Sequence, residues 1–226
     1  MASSSKLIYA LLPRCSSTNI DSVTTATSHE LVEAVTDPFP YTNGAFQNVD
    51  PDHFVWGSTP GGELGDMCEY VGLADQRLVG TFAVQRTWSN AAARAGHDPC
   101  VPALTTPYLG AAPQLDELVT IDLGNQSGVV STKGVQVPLG MSKTVEVALF
   151  SDAPADDWTV KATDAATVMG GDAELSFAWD KTTGHNGDKL HLTITRIKAG
   201  QGGSEFVVSS RINNVSTSLW WGFVAN

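Results

Sequence analysis

The residues best suited to chemistry in this sequence lie within residues 28–38, SHELVEAVTDP. If this segment is helical, His29 and Glu33 lie on one face, because residues four apart on a helix stack above one another. Glu30 lies one position round the helix, where a His-Glu-x-x-His metal helix carries its general base. Glu33 stands in place of the second histidine of that pattern. The spacing predicts His29 and Glu33 as metal ligands and Glu30 as the base of a hydrolytic reaction.

A second acidic segment, residues 61–68 (GGELGDMC), follows along the chain and places Glu63 thirty residues after Glu33. Metal sites can take a third ligand from a later element, with a further acidic group nearby to orient the histidine. We therefore expect Glu63 to be the third ligand. Asp66, three residues later, is predicted to be either a fourth ligand or the group that orients His29.

The identity of the metal stays open at this point. Zinc is the expectation for a hydrolytic His-Glu helix, whereas three carboxylates with one histidine suit Ca²⁺ or Mn²⁺ better than a typical zinc site. Zinc and calcium are therefore the two candidate cofactors. The alternative to a metal site is that these residues form a solvated helix face with an ordinary surface histidine.

The helix that carries His29 is expected to run from near Ser22 to Val35. Asp21 or Ser22 would cap its first turn. It must end at Asp37 and Pro38, because proline lacks a backbone N–H and restricts the residue before it. Residues 7–12 read as a buried strand. The alternative, a signal peptide, has too short an apolar core and no small-residue cleavage site here.

The second half of the chain has a different pattern, in which apolar and polar residues alternate with period two. Val145, Val147 and Leu149 are expected on one face of such a strand. Seven or eight short strands separated by turn residues predict an immunoglobulin-like β-sandwich. The predicted strands span residues 118–123, 134–138, 143–150, 158–162, 174–179, 189–197, 205–212 and 218–224. We therefore expect an α+β domain over residues 1–112 and a β-sandwich domain over residues 113–226.

Composition excludes two classes of partner. The formal net charge is −11, with 13 Lys and Arg against 24 Asp and Glu, and no basic cluster is present. Because binding to phosphate groups needs basic patches, nucleic acid is not an expected partner. No apolar run approaches the roughly 18 to 20 residues of a membrane-spanning helix.

The chain has 3 cysteines, so at least one is unpaired within it. Cys68 and Cys100 both lie in loop-like contexts, where a disulfide would link the ends of a turn-rich stretch. Two free buried thiols are the alternative, and we favour the disulfide. Cys15 would then stay free.

Four segments in order carry a resemblance to a known group of proteins: residues 28–38, 62–68 (GELGDMC), 84–90 (VQRTWSN) and 100–101 (CV). Together they resemble secreted bacterial zincin-like proteins and the plant exordium, or phosphate-induced, proteins. The resemblance covers roughly residues 7–102. It implies an extracellular setting, a Cys68–Cys100 disulfide, and a partial zincin-like domain with a metal site at His29, Glu33, Glu63 and Asp66. The sandwich lies outside the resemblance.

The function expected from this reading is that of a secreted zincin-like metallopeptidase, or a degenerate relative, that hydrolyses bonds in a peptide or protein substrate. The alternative is a non-enzymatic extracellular surface or matrix protein with a structural calcium site. Its sandwich would then bind a cell-surface polysaccharide or protein. Any signal peptide would lie upstream of Met1.

Overall fold

A computed structural model describes residues 9, 11–12, 19–39, 55, 63–68, 76–91, 100, 107–122, 128–200 and 202–226. Among these residues, strands are far more common than helices. The helices are α1 (Ile20–Thr36) and α2 (Ala165–Val168). The strands are β1 (Gln76–Val79), β2 (Phe82–Gln85), β3 (Leu109–Pro113), β4 (Glu117–Asp122), β5 (Val129–Gln136), β6 (Ser142–Ser151), β7 (Trp158–Asp164), β8 (Leu175–Trp179), β9 (Thr183–Gly184), β10 (Lys189–Arg196), β11 (Ser204–Ile212) and β12 (Val215–Ala225).

Two packed sheets form a β-sandwich from the second half of the chain. One sheet has the strand order β3-β6-β10-β8, and the other has the order β4-β5-β12-β11-β7-β9. Neighbouring strands are antiparallel except for β12 and β5, which pair in parallel through Val224 opposite Val135. The period-two pattern therefore predicted the layered β architecture, whereas the parallel pair was not expected.

The core of the sandwich follows from the alternation of its strands. Val147 on β6 and Leu190 and Leu192 on β10 are fully buried, and Phe206 on β11 meets them from the opposite sheet. Burying an apolar side chain of this size stabilises a fold by about 1.5 to 3 kcal/mol. The residues between these positions face outward, as the sequence predicted.

A second apolar cluster lies on the outer face of the six-stranded sheet. Trp221 and Phe223 of β12 contribute from the sheet, and Met67, Cys68 and Trp88 contribute from the first half of the chain. The apolar residues of the first half therefore pack onto the sandwich.

The predicted α+β zincin-like domain is wrong. The described part of residues 1–112 holds α1, the β1–β2 hairpin, a turn at residues 63–68 and most of β3. A domain needs its own apolar core, but the buried residue of α1 is the carboxylate Glu33, while Leu31 and Val35 are exposed. Helical spacing identified the helix correctly and did not show that a core surrounds it. The predicted division into two domains stays a prediction, and its boundary at residue 112 falls inside β3.

Two local predictions in the first half need correction. Tyr9 and Leu11 are 81% and 86% exposed and lie outside regular structure, so these described residues do not belong to a buried strand. The helix is capped by Asn19, whose side chain accepts a hydrogen bond from the Ser22 N–H at 2.8 Å. Asp21 and Ser22 already lie within α1. The predicted end at Asp37 is confirmed, since its N–H donates to Glu33 O at 2.7 Å.

Candidate metal centre

Three elements meet at the site: helix α1, the turn at residues 63–68, and strand β2. Helix α1 packs along β2, and the Gln85 N–H donates to Ser28 Oγ at 2.8 Å. Gln85 Nε2 donates to the carbonyl oxygen of Gly65 at 2.6 Å. Polar contacts from one glutamine on β2 thus connect the helix with the turn.

His29, Glu33 and Asp66 converge at this junction. His29 Nε2 lies 3.0 Å from Glu33 Oε1 and 3.6 Å from Asp66 Oδ1. The side chains are 12%, 11% and 13% exposed respectively. One potential ligand atom from each residue lies within 4.8 Å of the other two. The structure therefore brings together three of the four residues that the sequence predicted as ligands.

The buried oxygen of Glu33 is the most informative atom of this group. Glu33 Oε1 accepts no hydrogen bond, although His29 Nε2 lies only 3.0 Å away. The two atoms are close, but a ring N–H would not point at the oxygen. A buried polar atom without a hydrogen bond costs free energy. Two potential metal-ligand atoms that lie close together without a hydrogen bond between them have the arrangement expected for ligands of a common ion.

The distances within the group fit a small divalent ion. Two donor atoms at about 2.0 to 2.1 Å from a tetrahedrally coordinated ion lie about 3.3 Å apart. The separations of 3.0 Å and 3.6 Å from His29 Nε2 bracket that value. One imidazole nitrogen with carboxylate oxygens is a donor set that zinc accepts, and the surrounding carboxylates also suit calcium.

The electrostatic environment is strongly negative. Burial raises the pKa of Glu33 to about 7; His29 opposes this rise, and Asp66, Glu63 and Glu30 add to it. The pKa of Glu63 is also raised, first by burial and then by Asp66. Burial disfavours the charged form of a carboxyl group, and neighbouring negative charges disfavour it further. A bound cation would reverse this effect and stabilise the ionised carboxylates.

Because Gly65 has no side chain, it leaves room for the His29 and Glu33 side chains. A Cβ atom at this position would lie 2.7 Å from Glu33 Oε1 and 2.9 Å from His29 Nδ1. The main chain of the turn therefore passes directly over the site, and a larger residue would displace both side chains. Sequence reasoning missed this role, and the only available signal was the glycine between Glu63 and Asp66.

Glu63 and Glu30 lie beside the three-residue group. The Glu63 N–H donates to Asp66 Oδ2 at 3.3 Å, which stabilises the turn. Its carboxylate lies outside the group that His29, Glu33 and Asp66 form. Glu30 is exposed on α1, and its charge reaches both Glu33 and Glu63. Glu30 therefore lies on the solvent side of the site.

Asp66 and Gln85 face different nitrogens of His29. Asp66 is near Nε2, so it belongs with the candidate ligands. The orienting position is next to Nδ1, and Gln85 Oε1 lies there at 2.9 Å. Gln85 could not be chosen from the sequence, because its spacing from His29 follows no helix or strand period.

The Cys68–Cys100 disulfide is confirmed, with a Cα–Cα distance of 5.6 Å and a sequence separation of 32. It follows Asp66 by two residues and lies within the cluster that packs on the sandwich. Closing a loop of this length stabilises a fold by about 3 to 4 kcal/mol on the chain-entropy estimate. The turn that carries Asp66 is thereby fixed to the sheet. Cys15 lies outside the described residues.

No protein-family model matches this sequence, and no curated protein matches it. Among solved structures, the chain is similar to a conjugative transposon lipoprotein from Bacteroides eggerthii, with 16% identity and a TM-score of 0.29. That similarity covers 49% of this chain and 94% of the other. At this TM-score it indicates neither fold nor function. Within the described ranges, no helix is long and apolar enough to cross a membrane.

Proposed function

We propose that this protein binds a divalent cation through His29, Glu33 and Asp66 outside the cell and uses it to hydrolyse peptide bonds. The observation that carries the proposal is the buried Oε1 of Glu33, which accepts no hydrogen bond and lies 3.0 Å from His29 Nε2. A cation shared by the group would satisfy this oxygen and offset the repulsion among the neighbouring carboxylates.

The roles of the residues follow from their positions. A divalent cation, when bound, supplies a Lewis acid that makes water a nucleophile near neutral pH. His29, Glu33 and Asp66 would hold the ion from the protein side. Glu30, exposed beside His29, accepts the proton that the attacking water loses and returns it to the leaving amine. The substrate would be a peptide or protein that reaches the exposed side of α1.

The Cys68–Cys100 disulfide supports an extracellular setting, because disulfides persist mainly in oxidising compartments. The net charge of −11 argues against nucleic acid as a partner. It also favours cations over anions at the molecular surface.

A second candidate is a non-enzymatic surface protein in which the same group holds a structural calcium ion. The observation that favours it is the excess of carboxylates: Glu30, Glu63 and Asp66 all add negative charge at Glu33. Calcium takes six to eight oxygen ligands, and carboxylates supply them well.

The sandwich offers this second candidate a place to bind a partner. A cavity of about 210 Å³ lies where β3 leads into β4, beside β12. Trp220 and Trp221 contribute aromatic surface, while Gln114, Asp116 and Lys133 contribute polar groups. An apolar wall with a few polar groups suits a small ligand such as a sugar ring.

Metal analysis and peptide hydrolysis separate the two candidates. Purified protein is analysed for bound metal, and cleavage of an unstructured protein substrate is followed with and without added Zn²⁺. The proposal expects one zinc per chain and hydrolysis that Glu30→Gln abolishes while zinc binding persists. Asp21→Asn, which removes another exposed carboxylate of α1, is the matched control and should cleave normally. Bound calcium without hydrolysis would favour the second candidate, and the absence of any bound cation would refute both.

A further inference from the structure

Gln85 occupies a position that the proposed function does not explain. Its side-chain amide lies between His29 on α1 and Gly65 in the turn, with hydrogen-bond distances of 2.9 Å and 2.6 Å. Its main-chain N–H also bonds Ser28 on α1. The side chain is therefore held from both sides, and the hydrogen-bonding capacity of each partner determines the orientation of the amide.

The orientation follows from Gly65. A backbone carbonyl oxygen can only accept hydrogen bonds, so the NH₂ end of the Gln85 amide must face it. The Gln85 oxygen then faces His29 Nδ1. That oxygen can also only accept, so Nδ1 must carry a hydrogen. In the neutral imidazole ring, the other nitrogen, Nε2, is consequently bare.

The bare nitrogen faces the two carboxylates. His29 Nε2 lies toward Glu33 Oε1 and Asp66 Oδ1, and a lone pair next to two ionised carboxylates is unfavourable unless a proton or a metal cation lies between them. Without Gln85, the opposite tautomer would place a hydrogen on Nε2 and block that position. A histidine that binds a metal donates its other N–H to an oxygen acceptor for this reason.

We propose that Gln85 is the positioning residue of the site, which selects the Nδ1–H form of His29 and directs bare Nε2 at the cation. The inference rests on the proposed cation site, and it assigns to Gln85 the orienting role that the sequence offered to Asp66. The NH₂ end of the same amide holds Gly65 over the site. The Gln85 side chain therefore positions both the His29 ring and the main chain of the turn at Gly65.

The test reads the tautomer of His29 directly. Two-bond ¹⁵N–¹H spectra of metal-free protein are recorded at a pH where the ring is neutral, and the His29 signals are assigned with His29→Ala. We expect a proton on Nδ1 and a bare Nε2 in the unsubstituted protein. Gln85→Met keeps the length of the side chain and removes the amide, so it should move the proton toward Nε2. The affinity for Zn²⁺ should fall by about 10- to 100-fold.

Gln136→Met is the matched control, because Gln136 on β5 also donates from Nε2 to a backbone carbonyl, that of Asn226. It should change neither the tautomer nor the affinity. A bare Nδ1 in the unsubstituted protein would overturn the inference even if Gln85→Met failed to fold. So would a Gln85→Met protein with the original tautomer and affinity.

The outcomes for the inference and for the proposed function are separable. A protein that binds no Zn²⁺ or Ca²⁺ but shows a Gln85-dependent Nδ1–H would refute the proposed function and support only the selection of the tautomer by Gln85. Zn²⁺ binding that is insensitive to Gln85→Met would support the proposed site and refute the positioning role.

Discussion

The sandwich is stabilised mainly by buried apolar side chains, whereas the candidate metal centre is built around buried polar side chains. In the sandwich, side chains such as Leu190 and Leu192 are buried because the strands alternate, and neighbours in sequence are sufficient to predict them. At the metal centre, the buried residue of α1 is Glu33, and it meets His29 of the same helix and Asp66 from the turn at residues 63–68. The first region gains stability from burial of apolar surface. The second depends on polar links, a disulfide and, by our proposal, a cation.

The largest expected effect comes from truncating the sandwich core. Leu192→Ala removes a fully buried side chain, and we expect the free energy of unfolding to fall by about 2 to 5 kcal/mol. Leu139→Ala, at an exposed position, should change it little. Urea denaturation measures both. Affinity for a cation, measured well below the unfolding transition, should not change. A large loss of affinity in folded Leu192→Ala would contradict the separation of the two regions.

Removing the disulfide should affect both regions. The double variant Cys68→Ala and Cys100→Ala releases a loop closed over a sequence separation of 32. The free energy of unfolding should then fall by about 3 to 4 kcal/mol on the chain-entropy estimate. Because the bond also fixes the turn that carries Asp66, cation affinity should fall as well. Calorimetric titration of the folded variant tests this, and unchanged affinity would show that the turn is held by other contacts.

A methyl group at Gly65 tests how tightly the site is packed. Its Cβ would lie 2.7 Å from Glu33 Oε1, so Gly65→Ala should lower the free energy of unfolding by about 1 to 3 kcal/mol. Cation binding should be lost. Adding Glu33→Ser removes one of the two side chains that the methyl group would meet, and it should recover part of the stability without recovering binding. If the double variant is no more stable than Gly65→Ala, the clash lies with His29.

The last expected effect concerns pH. Burial raises the folded-state pKa of Glu33 to about 7 from 4.5. Between these values the folded protein binds more protons than the unfolded chain, so stability falls as pH rises. We expect the metal-free protein to be less stable at pH 7.5 than at pH 5. Glu33→Gln should reduce this slope, and a cation that binds at pH 7.5 should restore the lost stability. Thermal unfolding at both pH values provides the measurement, and a metal-free protein whose stability rises over this range would contradict the sign.

Much of the sandwich could be predicted because its alternation is local. The strand predicted at residues 143–150 corresponds to β6, Ser142–Ser151. Strand β3, Leu109–Pro113, was missed because four of its five residues are buried, so no alternation marks it. The parallel pairing of β12 with β5 joins Val224 to Val135, and no local pattern specifies a contact over that distance.

Less of the candidate site could be predicted. His29 and Glu33 were found because spacing by four on a helix is a local rule. Asp66 was predicted with two possible roles, and only the fold places it on the Nε2 side. Gly65 and Gln85 were missed, since a close approach of main chain and a contact between an amide and an imidazole leave no periodic trace. The α+β domain was predicted from the helix, from a buried strand expected at residues 7–12 and from the resemblance. The exposed Leu11, Leu31 and Val35 show why that inference failed.

The position of β12 has a consequence for how the protein is made. Among the described strands it is the last along the chain, yet it lies inside the six-stranded sheet, between β5 and β11. During synthesis, β4, β5, β7 and β11 therefore leave the ribosome before β12, the strand that lies between β5 and β11. Until residues 215–225 emerge, β5 and β11 each present an open edge, and open edges invite association with other chains. Nascent chains of this protein should therefore need a chaperone, or rapid completion, more than the stability of the finished sandwich would suggest.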